Sequence, residues 1–327
     1  MGSKKIVVSK AILDDRNKER ITAAAARHGY TVEFFKTNKD AVEALRDAEI
    51  AYGMGPKLVK HSPQLKWFCS AAAGVNNILI DGLIASPDVQ ITCATGSYGV
   101  TIAEHTICVL LEMMRQLPTY AEYVRRHEWK QNLIQHSIYG SSILILGTGD
   151  IGQSIARRLK AFEPARVIGI NRSGRPAGPD FDAVYPSSQL DDHVADADCV
   201  ILCMPETKET IGILSAERIA HLKETAYVVN VGRGSAICQS ALIAALNEGK
   251  IAGAALDVLE HEPLEPDYPV WETKNLLLTP HISGQETLQY TLDRNVDIFL
   301  EDLENYCAGR PLKYLVDRKL GYQQKHD

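Results

Sequence analysis

Short apolar runs alternate along the chain with longer helical stretches. In the N-terminal third, the runs predicted to be β-strands are residues 5–9, 31–35, 49–53, 66–70 and 89–93. The segments predicted to be helical are residues 15–28, 38–47 and 75–84. Strands that alternate with helices indicate βαβ units built around a parallel sheet.

A second series of the same kind begins at Ser141. Its predicted strands are residues 141–146, 166–170, 198–203, 226–231, 252–258 and 275–279, and its predicted helices include 150–162 and 285–307. This series is long enough for a complete doubly wound domain of six or more strands. We therefore expect an α/β protein with two domains, each containing a parallel sheet.

A long helical pattern over residues 101–126 joins the two series. Pro118 should kink or interrupt this helix, because proline lacks the N–H group that a helix interior needs. The apolar face of the pattern is wide. Two interpretations stay open: a helix between the domains, or a contact in a dimer.

The composition narrows the class of protein. Charged residues make up 23% of the chain, the net charge is −6 and there is no basic tract. Nucleic acid is therefore not expected as a partner, because its binding depends on clustered Lys and Arg. No apolar run approaches the ~20 residues of a membrane span, and the N-terminus lacks a secretory signal. The seven cysteines form no Cys-x-x-Cys pair, so we expect free thiols and a cytoplasmic location.

A glycine-rich turn follows the first strand of the second series and precedes a predicted helix. It has the pattern G-x-G-x-x-G, in which Gly147 permits the tight turn, and Gly149 lets the backbone approach a pyrophosphate. Gly152 allows the helix to pack near the strand. Asp150 and Ile151 complete the turn at the helix N-terminus, whose N–H groups and dipole favour phosphate. The sequence therefore predicts a dinucleotide site, against the alternative of a turn without a ligand.

The residues after the next strand bear on the type of dinucleotide. NAD-specific sites place a carboxylate there to bind the ribose hydroxyls, but this chain has Asn171, Arg172 and Ser173. An arginine can pair with the 2′-phosphate of NADP. We expect NADP(H) to be preferred, with NAD(H) also possible. The alternative is an exposed loop whose arginines face water.

Three polar residues of the second series follow three apolar strands: Arg233, Glu262 and His281. The carboxyl ends of parallel strands form one crevice, so these side chains can converge. Arg233 suits binding of a substrate carboxylate and polarisation of a carbonyl, and His281 suits proton transfer to the carbonyl oxygen. Glu262 can orient the imidazole and favour its charged form. Asp257 is placed to meet the nicotinamide carboxamide or ribose.

Each of these residues has an alternative interpretation as a loop charge, a solvated charge or a packing histidine. Their joint occurrence after a dinucleotide turn favours catalysis. His105 is expected to be a packing histidine in the long helix. The chain has neither a Gly-x-Ser-x-Gly elbow nor a His-Glu-x-x-His motif, so neither a serine hydrolase nor a metal site is predicted.

Together these segments resemble the D-isomer-specific 2-hydroxyacid dehydrogenase family over nearly the whole chain. The ordered Arg, Glu and His set with its flanking residues is the most specific part. The matching segments are residues 71–78, 99–115, 145–159, 204–214, 229–237, 253–264 and 275–284.

The resemblance implies two Rossmann-like or flavodoxin-like domains, with the cofactor domain inserted in the substrate domain. Residues 1–98 and 293–327 would form the substrate-binding domain, and residues 99–292 the dinucleotide-binding domain. The family implies a homodimer with the long helix at its interface. The substrate would be a small 2-oxoacid or D-2-hydroxyacid, of glyoxylate or hydroxypyruvate type.

The resemblance also implies further ligand contacts. The backbone of Ala73, Gly74 and Val75 would bind the substrate carboxylate. Contacts around the cofactor would come from Pro205, Thr207, Thr210, Val231, Gly232, Asp257 and Gly284. Residues 52–55, with Met54 as a flexible apolar wall, and Tyr98 would select the substrate side chain, whereas Trp129 is expected to pack.

A second function stays open. The same fold serves as a cofactor-sensing corepressor scaffold that binds peptides and can retain all three catalytic residues. Peptide binding that responds to cofactor, with negligible turnover, would distinguish this function from an NAD(P)-dependent dehydrogenase.

Overall fold

The computed structural model describes residues 4–76, 78–79, 84, 86 and 88–323. The chain divides into two compact units: residues 1–98 together with 285–327, and residues 99–284. The second unit is thus inserted into the first, as the resemblance implies. Residues 285–292 were expected in the inserted domain but belong to the first unit, where Glu286 forms an ion pair with Lys10.

Fourteen strands are present in the described part of the chain: β1 (Lys5–Ser9), β2 (Thr31–Phe35), β3 (Ile50–Tyr52), β4 (Trp67–Cys69), β5 (Gln90–Thr92), β6 (Ser142–Leu146), β7 (Arg166–Asn171), β8 (Ala183–Pro186), β9 (Cys199–Leu202), β10 (Tyr227–Asn230), β11 (Gly253–Leu256), β12 (Leu276–Leu278), β13 (Val316–Asp317) and β14 (Tyr322–Gln323). The α-helices are α1 (Asp15–Arg27), α2 (Gly99–Met114), α3 (Leu117–Arg125), α4 (Asp150–Leu159), α5 (Asp191–Val194), α6 (Ala216–Ala220), α7 (Gln239–Asn247) and α8 (Gln289–Cys307).

The first unit contains a five-stranded parallel sheet with the strand order β2-β1-β3-β4-β5. Alternate residues of its strands enter two apolar layers. Val8, Tyr52 and Trp67 pack on one face with Phe299 of α8, and Tyr52 stacks on the Phe299 ring at 4.4 Å between centroids. Val7 packs on the opposite face. The central strands are therefore buried on both faces, as expected for a doubly wound sheet.

The second unit contains a seven-stranded parallel sheet with the order β12-β11-β10-β9-β6-β7-β8. The chain runs from β6 outward to β7 and β8, and then crosses to β9 on the other side of β6. Ligands of open α/β sheets bind at the carboxyl ends of the strands where the order reverses in this way. The predicted α/β class is confirmed, and so is the doubly wound, parallel arrangement of both sheets.

The structure corrects two predicted helices and adds strands that were not predicted. The helix predicted over 38–47 is a short 3-10 helix at Ala44–Asp47, because the Asn38 side chain accepts hydrogen bonds from Ser9 and Gly55 and holds the preceding loop. In 75–84, the described residues form turns and bends, and residues 77, 80–83 lie outside the described part. Strands β8, β13 and β14 were not predicted.

The break expected in the long helix is confirmed. Helix α2 ends at Met114, Gln116 has a left-handed backbone with φ 58°, and Pro118 lies in the first turn of α3. A proline is tolerated there because the N–H groups of the first turn have no partner within the helix. All seven cysteines are free, as predicted. No helix in the described ranges has the length and apolar character needed to cross a membrane.

Candidate active site

The glycine turn lies between β6 and α4, at the point where the strand order reverses. Gly147 has φ +104°, and a Cβ on Gly152 would lie 2.0 Å from the Gly147 carbonyl oxygen. The protein's own packing therefore requires both glycines. A Cβ on Gly149 would meet no protein atom within 4 Å, so packing does not require this glycine. A pyrophosphate that approaches the backbone and the α4 N-terminus would use the space that this Cβ would fill, so the turn fits a dinucleotide.

The end of β9 packs directly against this turn. The backbone N–H of Cys203 donates to the Leu146 carbonyl at 3.0 Å, and a Cβ on Gly147 would approach Met204 to 3.0 Å. A Cβ on Gly232, after β10, would lie 2.8 Å from the Met204 carbonyl oxygen. The small residues at these strand ends thus allow the β6, β9 and β10 loops to meet closely.

Asn171, at the end of β7, organises the loop that follows. Its amide nitrogen donates to the Thr148 hydroxyl and to the Arg175 carbonyl, each at 2.9 Å. Its amide oxygen accepts from the N–H groups of Ser173 and Gly174. A carboxylate has no proton to donate in the first pair, so asparagine suits this position. Arg172 and Ser173 are left exposed on the loop.

The loop after β9 contains Pro205, Thr207 and Thr210. The Thr210 hydroxyl donates to the Pro205 carbonyl at 2.8 Å and accepts from the Thr207 N–H at 2.8 Å. Thr210 therefore closes this turn. Glu206 accepts a 2.5 Å hydrogen bond from Ser235, which connects the loop to the one that follows β10.

Arg233 lies on the loop after β10 and is partly buried. Its carbonyl accepts from the Asn230 side chain, and its guanidinium donates to the Gly232 carbonyl at 2.7 Å. A Cβ on the next residue, Gly234, would lie 1.9 Å from the Leu259 carbonyl carbon. The Arg233 loop therefore packs on the backbone that follows β11. Burial lowers the pKa of Arg233, and the carboxylate of Glu206 is the largest opposing influence. A guanidinium remains charged at neutral pH even so.

Glu262 and His281 are joined by a hydrogen bond. The Nδ1 atom of His281 lies 2.7 Å from Oε2 of Glu262, and the other carboxylate oxygen accepts the Leu259 N–H at 2.8 Å. The carboxylate is thus fixed by the backbone and in turn fixes the ring. His281 bonds through Nδ1 and is 51% exposed, so Nε2 is available for proton exchange with a ligand.

Asp257, after β11, accepts hydrogen bonds from the loop that contains His281. Its Oδ1 accepts from the Thr279 hydroxyl at 2.6 Å and the Ile282 N–H at 2.8 Å, and its Oδ2 accepts from the Ser283 N–H at 3.0 Å. Burial raises the pKa of the Asp257 carboxyl, but these hydrogen bonds outweigh it and the net shift is downward. The buried carboxylate is therefore ionised and stabilises a loop in which His281 has a left-handed backbone with φ 54°.

The predicted catalytic residues follow three adjacent strands of the second unit. Arg233 comes after β10, Glu262 after β11 and His281 after β12, and the carboxyl ends of these parallel strands lie at one edge of the sheet. The arrangement combines a guanidinium, a group that can bind carboxylates, with an imidazole, a group that can exchange protons. Val231 and Gly284 are on the same loops.

The predicted substrate loop lies in the first unit. Ala73 and Gly74 follow β4 in a bend, and Val75 is buried in the core. The Tyr98 hydroxyl oxygen lies 2.5 Å from the Ala71 carbonyl oxygen and 2.6 Å from Oε1 of Glu286, and its one proton can be donated to either acceptor. These residues belong to a different compact unit from the three predicted catalytic residues.

Two predictions about individual residues were wrong, and a third was incomplete. Met54 is 4% exposed and packs in the core of the first unit, so it does not form a flexible wall. Trp129, expected to pack, is 91% exposed. His105 is not only a packing residue, because its Nε2 lies 3.3 Å from the Thr279 hydroxyl. Sequence reasoning also missed Glu286, for which only its position shortly after His281 was a signal.

Comparisons with known proteins show which family the chain is similar to. A family profile described as "D-isomer specific 2-hydroxyacid dehydrogenase, NAD binding domain" matches residues 107–283. The chain is 34% identical to a glyoxylate reductase of Pyrococcus furiosus over 264 residues, which cover 74% of this chain and 75% of that protein.

Solved structures show the same similarity. A D-isomer specific 2-hydroxyacid dehydrogenase family protein from Aeromonas salmonicida superposes with a TM-score of 0.85 at 34% identity, covering 97% of this chain and all of that one. An NADPH-dependent glyoxylate/hydroxypyruvate reductase from Sinorhizobium meliloti, in complex with NADP and sulfate, superposes with a TM-score of 0.80 at 26% identity, covering 98% and all of the two chains.

Proposed function

Because the chain belongs to the D-isomer-specific 2-hydroxyacid dehydrogenase family, we propose that it reduces small 2-oxoacids of glyoxylate or hydroxypyruvate type, with NADPH as the preferred hydride donor. Membership of this family indicates that the protein is an NAD(P)-dependent oxidoreductase. The observation that supports the reaction is the hydrogen bond between Glu262 and His281, which follow strands adjacent to the one that precedes Arg233.

In this proposal Arg233 binds the substrate carboxylate with its planar guanidinium and polarises the neighbouring carbonyl. His281 donates a proton from Nε2 to the carbonyl oxygen. A nicotinamide cofactor held at the glycine turn would supply the hydride that the carbonyl carbon accepts. The product is a 2-hydroxyacid, and the reverse reaction uses His281 as the base. Glu262 holds the imidazole in place through Nδ1 and compensates the positive charge of the ring before transfer.

The backbone N–H groups of Ala73, Gly74 and Val75 are proposed to bind the substrate carboxylate as well. The proposed cofactor contacts are the glycine turn with Gly147, Gly149, Asp150, Ile151 and Gly152, the loop with Asn171, Arg172 and Ser173, and Pro205, Thr207, Thr210, Val231, Gly232, Asp257 and Gly284.

The preference for NADPH is supported by the loop after β7. Asn171 leaves no carboxylate for the ribose hydroxyls, and Arg172 and Ser173 are exposed next to the turn that would hold the pyrophosphate. A guanidinium and a hydroxyl suit a 2′-phosphate. The Sinorhizobium meliloti reductase similar to this chain binds NADP. NADH would then be used with a higher KM.

A homodimer is also proposed. None of the residues of α3 is buried, and Val124 on this helix is 69% exposed. In the segment that follows, Trp129 is 91% and Ile134 is 79% exposed. Exposed apolar side chains grouped in this way are typical of a surface that a second subunit covers.

The test is a turnover assay with purified protein, in which oxidation of NADPH or NADH is followed with glyoxylate, hydroxypyruvate, pyruvate, branched 2-oxoacids and phenylpyruvate. We expect rapid oxidation of NADPH with glyoxylate or hydroxypyruvate and slower oxidation of NADH. Protein that binds NADPH but oxidises it with none of these acids would contradict the proposed reaction.

A further inference from the structure

A chain of hydrogen bonds runs from helix α2 to the loop that carries His281. The Nε2 atom of His105 lies 3.3 Å from the Thr279 hydroxyl oxygen, and this hydroxyl lies 2.6 Å from Oδ1 of Asp257. Asp257 in turn accepts the N–H groups of Ile282 and Ser283. All these residues belong to the second unit.

The chemistry of the groups fixes the direction of each bond. A carboxylate can only accept, so the single proton of the Thr279 hydroxyl points to Asp257. The Thr279 oxygen must then accept from His105, which requires a proton on Nε2 of the imidazole. Burial lowers the pKa of His105, with Asp257 opposing the shift, so a neutral ring with Nε2–H is consistent with the geometry.

These hydrogen bonds provide partners for the Asp257 carboxylate, which would be costly to bury without them. Asp257 is 3% exposed, and its Oδ1 depends on Thr279 for one of two hydrogen bonds. If Nε2 of His105 carried no proton, it would compete with Asp257 for the proton of the Thr279 hydroxyl, and Asp257 would lose a partner. The backbone carbonyl of Asp257 also accepts the His281 N–H at 2.9 Å, so displacement of Asp257 would move the histidine that the proposed reaction uses.

We propose that His105 is a positioning residue for the active-site loop: its Nε2–H orients the Thr279 hydroxyl, which fixes Asp257 and thereby the backbone from His281 to Ser283. His105 does not exchange protons with the substrate in this scheme. The kinetic part of the proposal rests on the proposed reductase function, whereas the structural part can be measured without turnover.

The variants separate the hydrogen bond from packing. His105→Phe keeps a flat ring but has no donor, whereas His105→Gln replaces the donor with an amide N–H. Thr279→Val removes the middle hydroxyl at constant shape. Thr106→Val is the control, because the Thr106 hydroxyl is buried on the same helix as His105 but bonds to the Ile102 carbonyl of that helix.

The first measurement is hydrogen–deuterium exchange at the amides of Ile282 and Ser283. We expect exchange to be about fivefold faster or more in His105→Phe and Thr279→Val, with no further increase in the double variant. His105→Gln should restore most of the protection and Thr106→Val should leave it unchanged. Unchanged exchange in His105→Phe, or equal loss in His105→Gln, would overturn the proposal.

The second measurement is the steady-state kinetics of the same proteins. We expect kcat to fall roughly fivefold to tenfold in His105→Phe, with little change in the KM for the 2-oxoacid and partial rescue in His105→Gln. If the wild-type protein has no turnover but shows the exchange pattern, the proposed function fails and the positioning role stands. If turnover is normal and the exchange pattern is absent, the positioning role fails alone.

Discussion

At the scale of single residues, the site depends on carboxylates whose oxygens are held by the protein before any ligand binds. Glu262 is fixed by the Leu259 N–H and pairs with His281, and Asp257 accepts three hydrogen bonds from the loop around His281. Groups fixed in this way need little reorganisation during reaction. Their positions follow strand ends and could be predicted from sequence, but their partners could not.

The buried Asp257 should couple stability to acid. Its pKa is lower in the folded protein than the usual 3.8, so its contribution is complete above that value and is lost as pH falls through the folded pKa. We predict that Asp257→Asn lowers the free energy of unfolding by roughly 2 kcal/mol at neutral pH, because an amide has only one acceptor oxygen.

Urea unfolding of wild type and Asp257→Asn at several pH values tests this prediction. The difference between them should shrink below pH 3.8, while the exposed control Asp192→Asn should remain close to wild type throughout. A difference that is independent of pH would show that the charge of Asp257 does not provide the stability.

Arg172 provides a second prediction at this scale. If its guanidinium pairs with the 2′-phosphate, Arg172→Ala should raise the KM for NADPH by about tenfold, the effect of one lost charged hydrogen bond, and leave the KM for NADH nearly unchanged. Arg157→Ala, an exposed charge on α4, is the control. Equal changes for both cofactors in Arg172→Ala would argue against recognition of the phosphate.

At the scale of elements, the strands were the most predictable part. Parallel strands that are buried on both faces have continuous apolar sequences, which are easy to recognise. Accordingly, β6, β9 and β10 lie within the predicted ranges. Strand β8 was missed because it is a short, half-buried edge strand that ends at Pro186. The helix predicted over 38–47 was too long, because Ser9 and Gly55 donate hydrogen bonds to Asn38 and hold it in a loop. Contacts between residues so far apart in the chain leave no pattern in the local sequence.

Substitutions at two glycines of the turn distinguish the effect on protein packing from the effect on cofactor binding. A methyl group on Gly152 would collide with the Gly147 carbonyl, whereas one on Gly149 would meet no protein atom. We predict that Gly152→Ala lowers both the melting temperature and the affinity for NADPH. Gly149→Ala should keep the wild-type melting temperature and weaken NADPH binding alone.

Thermal unfolding and titration of NADPH fluorescence measure the two properties on the same samples. If Gly149→Ala bound NADPH as tightly as wild type, the open side of the turn would not face the pyrophosphate, and our assignment of the dinucleotide site would need revision.

At the scale of the whole molecule, the chain consists of two units, and both ends belong to the first. The sequence alone indicated two α/β series, and the insertion followed from the resemblance to a family. The sequence left two interpretations open for the apolar face of residues 101–126, because helical periodicity does not show whether a face packs within the chain or against another subunit.

This surface leads to a prediction about assembly. Light scattering after size-exclusion chromatography should give twice the mass of one chain. Val124→Asp, on the exposed face of α3, should shift the protein toward the monomer because it buries a charge without a partner. Ile12→Asp, an exposed apolar position in the first unit, should leave the dimer intact. A monomeric wild type would contradict the proposed assembly.

The central claim is that His281 donates the proton that completes reduction of a 2-oxoacid, and the most direct test compares two neighbouring histidines. We would measure kcat with NADPH and glyoxylate, or with the best acid of the panel, for wild type, His281→Ala and His261→Ala. His261 is adjacent to Glu262 but exposed, so its loss controls for a change near the site. The account predicts a loss of roughly 100-fold or more in His281→Ala and near-normal turnover in His261→Ala. Near-normal turnover in His281→Ala would contradict it.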